Sequence, residues 1–97
     1  MRATIISEKG RVVIDGESYD DIDLSSLDPS IHAIQWYDTS GEVEIKDARG
    51  RMIENREITS FDEFAFILPL WEAAKLKAMQ DAQAQADAFA AQFQQTP

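Results

Sequence analysis

At Thr59 the hydrophobic period of the chain changes, and that change limits the possible folds more than any other feature of the sequence. Before it, apolar residues alternate with polar ones in short runs separated by Gly, Asp, Pro and Ser, the pattern of half-buried strands joined by tight turns. After it they recur at intervals of three and four, the pattern of an amphipathic helix. Strands first and one long helix second predict an α+β domain: an antiparallel meander of about five or six short strands followed by a C-terminal helix.

The strand half divides at its turn residues. Ala3 to Glu8 and Arg11 to Ile14 form a first hairpin around Lys9-Gly10, and Asp15-Gly16 returns the chain into Ser18 to Leu24. Most of the strand-forming apolar mass lies in Ile31 to Ile53. A four-residue loop, Asp38 to Gly41, would set Tyr37 against Glu42, Trp36 against Val43, Ile34 against Ile45 and His32 against Asp47. Trp36, Ile34, Val43 and Ile45 would then share one face, with Tyr37, Gln35 and Ala33 on the other. A three-residue loop, Ala48 to Gly50, would pair Asp47 with Arg51 and Ile45 with Ile53, and would set Glu44 against Glu54. That like-charged pair requires either a hydrated face or a bulge that shifts the register.

In the helical half, Ser60 with Glu63 fits a capping box and Asp62 suits the first turn, so a helix is expected from near Phe61 to about Gln94. Pro69 predicts a kink or short break around Leu68. Ile67, Trp71, Ala74, Ala78, Ala82, Ala86, Phe89 and Phe93 make one stripe, closer to the ordinary helical period than to a strict heptad. Phe64, Ile67, Leu70 and Trp71 are bulky enough to pack on the sheet. The run after Ala82 is mostly Ala and Gln, which favour helix but bury little. The expected organisation is one domain over residues 1–80 and a helical extension over 81–97. That extension is either a frayed, solvated end or a seam for a second copy or another protein.

Composition removes several classes of function. The chain has 97 residues, 18 acidic against 9 basic, and a net charge of -9. Phosphate contacts draw on Lys and Arg, so nucleic acid is not an expected partner. There are no cysteines, hence no disulfide, thiolate metal site or cysteine nucleophile. The N-terminal apolar run is too short for a signal peptide, and no stretch nears the roughly 20 apolar residues of a membrane span. Asp20, Asp21, Asp23 and Asp28 lack the glycine and terminal carboxylate of a calcium loop, and suit edge protection and turns instead. His32 has no nucleophile near it in the expected register, because Thr39 and Ser40 stand at the far end of its strand. Neither a phosphate-binding glycine loop nor a histidine pair with metal spacing occurs, so no catalytic, metal or cofactor residues are assigned. Candidate protein-binding residues are Tyr37 and Gln35 on the outward sheet face and Ala82, Ala86, Phe89 and Phe93 on the helix.

The run D-L-S-S-L-D-P-S-I-H-A-I-Q-W-Y-D-T-S-G-E-V-E-I-K-D, followed by E-I-T-S-F-D-E-F and W-E-A-A-K, resembles small proteins that accompany the tail and tail-fibre genes of tailed bacteriophages and prophages. The resemblance covers roughly Arg2 to Lys77 and is most specific over Leu27 to Glu44. It implies a non-enzymatic protein of the bacterial host cytoplasm or the virion tail that binds a tail or tail-fibre component, as an assembly chaperone or minor structural part. The Ala/Gln-rich end lies outside the resemblance, and its apolar stripe is the expected seam of a homo-oligomer. The acidic charge supports an alternative: a phage-encoded inhibitor that covers a basic surface of a host defence or nucleic-acid-processing protein.

Overall fold

The structure, a computed structural model, describes residues 1–94. Its order is β1 (Arg2–Ile6), β2 (Arg11–Ile14), β3 (Glu17–Tyr19), β4 (Ile31–Tyr37), β5 (Ser40–Lys46), β6 (Met52–Ile58) and α1 (Ile67–Gln94). The six strands form one antiparallel sheet in the order β3-β2-β1-β4-β5-β6. Two meanders, β1-β2-β3 and β4-β5-β6, therefore join where β1 pairs with β4.

The expected face of β4 is correct and the expected register is two residues off. Ile34 faces Val43, Trp36 faces Gly41 and Tyr37 faces Ser40, so the turn contains only Asp38 and Thr39. Asp38 supplies the left-handed backbone with φ 64°, and the N-terminal ammonium holds its carboxylate at 2.8 Å. Gly41 is not a turn residue. A Cβ there would stand 2.2 Å from the Gln35 carbonyl and 3.0 Å from the Trp36 ring, so the bare backbone is what lets the indole lie across β5. A slip of two leaves every side chain on its own face, which is why the inward set is unchanged.

Two bulges complete the register. His32 is the extra residue between Ile31 and Ala33, which lets Ile31 and Ile34, three apart, both turn inward. A second shift between Ile45 and Lys46 inserts Ile53 and sets Glu44 against Asn55 instead of Glu54. Of the two ways of relieving that like-charged pair, the chain uses the bulge.

One face of the sheet is covered. Ala3, Ile5, Val12, Ile14, Ile34, Trp36 and Val43 meet Leu27, Phe61, Phe64 and Ile67 in a single core. The third strand stops at Tyr19, short of the expected Leu24, because the following segment folds back over this core. The Ile22 N–H donates to the Gly10 carbonyl at 3.0 Å, and Ile22 and Leu24 pack against the core. The helix also starts later than the capping pattern suggests. The Ser60 hydroxyl accepts from the Asp62 N–H, and a 3₁₀ turn, Asp62–Phe64, follows. Its three-residue period lines up Phe61, Phe64 and Ile67, all buried. The interruption thus lies just before Ile67, and Pro69 falls in the first helical turn, where backbone N–H groups have no intrahelical partner.

Candidate protein-binding surfaces

Tyr37 and Gln35 lie together on the uncovered face of the sheet. Tyr37 is 48% exposed. Thr4 donates its hydroxyl proton to Gln35 Oε1 at 2.8 Å, which fixes the amide orientation, and the Arg2 guanidinium lies 5.8 Å from the centre of the Tyr37 ring. Shallow depressions of about 220 and 160 Å³ flank the tyrosine, one lined by Ser40, Glu42, Glu57 and Thr59, the other by Arg2, Thr4 and Val13. Such hollows are small for a ligand pocket. A ring with a polar tip on an open sheet suits contact with a protein surface.

The helix divides as its side chains predict. Trp71 anchors its first part: the indole N–H donates to the Glu17 carbonyl at 3.0 Å, and the ring meets Tyr19 edge-on at 5.8 Å. Lys75 adds a 3.4 Å ion pair with Glu17. The Tyr19 hydroxyl, donating to Glu17, holds that carboxyl below its usual range, and the carboxylate in turn raises the Tyr19 hydroxyl. From Leu76 to Phe93 every residue is exposed. This stretch is about 27 Å long at 1.5 Å per residue. The radius of gyration, 18.0 Å, records the projection, since a compact chain of this length would have one of about 12.5 Å.

Ala82, Ala86, Phe89 and Phe93 lie along this free helix. Phe89 and Phe93 are 62% and 67% exposed, and their rings meet edge-on at 4.8 Å. The structure groups these four on one element and leaves them apart from Tyr37 and Gln35. It also adds two exposed apolar residues that the sequence reading left out, Leu76 and Met79. Met79, Ala82, Ala86, Phe89 and Phe93 follow a spacing of three and four, and that spacing was the available signal for Met79.

His32 occupies the bulge and does not face Asp47. Its Nδ1 is buried without a hydrogen-bond partner and lies 3.8 Å from Glu8. Asp47 instead caps the β5–β6 turn. The backbone N–H of Arg51 does most to hold its carboxyl below the usual range, against desolvation, with help from the Arg49 N–H and the Arg51 guanidinium. The acidic run has equally local work: Asp20 pairs with Arg11 at 2.7 Å, and Asp23 and Asp28 accept from the Ser25 and Ser30 N–H groups. Among the described residues no group of three or more His, Asp or Glu side chains could hold a metal ion, and no helix is long and apolar enough to cross a membrane.

No protein-family model, curated protein or solved structure matches the chain.

Proposed function

We propose that the chain is a non-enzymatic protein-binding component of the tail-assembly apparatus of a tailed bacteriophage or prophage. It would serve as an assembly chaperone or minor structural part, with its docking element the free length of α1. The projection of Leu76 to Phe93 beyond the sheet supports this most directly. A helix of this kind gains most of its stability from packing an apolar face, and here Met79, Phe89 and Phe93 are all exposed. An amphipathic helix laid into a groove of a second protein would bury them through regularly spaced anchors. The phage context comes from the Leu27 to Glu44 resemblance, and the sheet domain acts as the base from which the helix extends.

Co-expression with the tail and tail-fibre proteins of the same phage, followed by affinity capture, tests the proposal. The wild-type chain should capture one of them. The double substitution Phe89→Ser with Phe93→Ser should abolish capture while leaving the melting temperature within about 2 °C, because neither ring packs on the core. Equal capture by the double variant, or no capture by the wild type, would overturn it.

One observation favours the inhibitor alternative. Glu42, Glu44 and Glu57 stand on neighbouring strands of the uncovered face, with Glu42 directly opposite Glu57. A basic host surface held there should be lost as salt rises, whereas a groove holding Phe89 and Phe93 should keep its helix.

A further inference from the structure

We propose that two copies of the chain pair edge to edge through β6, antiparallel and centred on Asn55, extending the sheet across a twofold axis. This goes beyond the docking role of α1 and uses a different element.

The strand is available. β6 is seven residues long and pairs on one side only, with β5. Its outward backbone groups follow from the hairpins. The two-residue turn after Tyr37 makes Tyr37 and Ser40 a hydrogen-bonded pair, and bonded pairs then alternate along each ladder. The Asp38 N–H, which donates to the Met1 carbonyl, fits this alternation. Gly41, Val43 and Ile45 therefore bond to β6 through Ile58, Arg56 and Glu54. Asn55 and Glu57 are left with N–H and C=O groups pointing away from the sheet, free for another strand.

The side chains select the occupant. In a twofold antiparallel edge, directly opposite residues must lie on the same face, so the axis passes through a residue. An axis at Glu54 sets that glutamate against itself, and an axis at Arg56 sets two guanidinium groups together. An axis at Asn55 sets Glu54 of each copy against Arg56 of the other, twice. Those charge pairs occupy the non-hydrogen-bonded sites of the new ladder, where opposed side chains come closest. Asn55 meets Asn55 across the axis, where each amide can donate to the other.

Charges on an edge strand usually discourage pairing. Here the signs alternate so that the strand repels a shifted copy and accepts one in register. Within the chain Arg56 makes a loose 3.8 Å contact with exposed Glu63 and a longer-range attraction to Asp28, and among the described residues Glu54 makes no ion pair. Ile53 beside them is 63% exposed. Such a short edge is smaller than a standard interface, so the dimer is a weak, concentration-dependent one.

Sedimentation of the full chain over a range from about 1 to 500 μM, spanning weak affinities, tests the pairing. The wild type should shift from monomer to dimer. Glu54→Arg alone and Arg56→Glu alone should each remain monomeric with wild-type melting temperatures, since each sets like charges together. An equimolar mixture of these two variants should dimerise again. Its summed charge equals that of the wild-type pair, so its recovery reads the register and not the net charge. Phe89→Ser with Phe93→Ser should leave the dimer intact, which separates this edge from α1. A wild type monomeric throughout, single variants that still dimerise, a mixture that does not, or loss of the dimer in the α1 variant would each overturn the proposal.

Discussion

At one edge of the sheet β3 offers three residues and is pinned by a tryptophan from the helix, whereas at the other β6 offers seven and has no covering element among the described residues. Both edges face the same difficulty, unpaired backbone groups that invite another strand. The first is resolved within the chain. Trp71 takes the Glu17 carbonyl, Tyr19 meets the indole edge-on, and Lys75 closes the end with its ion pair. At the second edge the devices among the described residues are a bulge and alternating charge. Helix packing and open edge are thus segregated to opposite sides of one small sheet. The chain spends its single helix on the shorter edge.

The largest test of this contrast is to remove the tryptophan. Trp71→Ala deletes a half-buried ring, its aromatic contact with Tyr19 and the hydrogen bond to Glu17, and should cost about 2–3 kcal/mol in chemical denaturation. Arg56→Ala at the opposite edge should stay within about 0.5 kcal/mol, because its attractions to Glu63 and Asp28 are exposed and screened. Similar costs at the two positions would remove the distinction between a covered and an open edge. Hydrogen exchange gives the local version: the outward Asn55 and Glu57 amides should exchange well before those of Ile34 and Val43.

A second test concerns the hairpin between the edges. Gly41→Ala places a methyl group against the Gln35 carbonyl and the Trp36 ring, and should cost about 1–3 kcal/mol, as overpacking does. Gly50→Ala meets no neighbour but needs φ 81°, so its cost of roughly 1 kcal/mol is one of backbone strain alone.

Gly41 also shows how far the sequence could be read. In an alternating pattern it looks like turn chemistry beside Asp38, Thr39 and Ser40, and nothing local reveals that an indole from the neighbouring strand needs the space. The faces of β4 and β5 were legible because side-chain alternation survives a slip of two. Their partners were not, because the turn length depended on Asp38 accepting a left-handed backbone. The bulges at His32 and Ile53 were hidden for a similar reason. An extra residue breaks periodicity without leaving a composition signal, although the Glu44 and Glu54 conflict did point to the second. In the helix and the turn before it, Phe64, Ile67 and Trp71 were identifiable by size, but Leu70, expected with them, is not part of the core and Leu68 packs there instead. The 3₁₀ entry was not, since the Ser60 and Glu63 pattern fits a capping box equally well. Of the candidate surfaces, Tyr37 and Gln35 followed from alternation alone. The pairing capacity of β6 depended on its corrected register.

Acid should weaken both sides of the sheet. Asp20 lies beside the covered edge and is held below the usual carboxylate range chiefly by the Arg11 guanidinium. Asp47, at the turn into β6, is held there chiefly by the Arg51 N–H. A carboxyl with a depressed value in the fold adds stability that is fully present above its unfolded value and is lost as pH falls through the folded one. The thermal midpoint should therefore be flat between about pH 5 and 7 and decline below about pH 4. Asp20→Asn and Asp47→Asn should each reduce that decline. These are surface groups, so the effect should be smaller than that of either substitution above.

The smallest effect is expected where the helix has left the sheet. Ending the chain after Lys77 removes Met79, Phe89 and Phe93 but no residue that packs on the core, since burial along α1 ends at Lys75. Trp71, Lys75 and the edge they protect would remain. The melting temperature should change by no more than about 2 °C, and the β6-mediated dimer should persist with its Glu54 and Arg56 dependence. Capture of a tail or tail-fibre protein, in contrast, should disappear. The truncation thus separates the two surfaces: a loss of stability would place the extension within the fold. A loss of the dimer would move self-association from β6 to α1, and the open edge would then be only a strand protected by its charges.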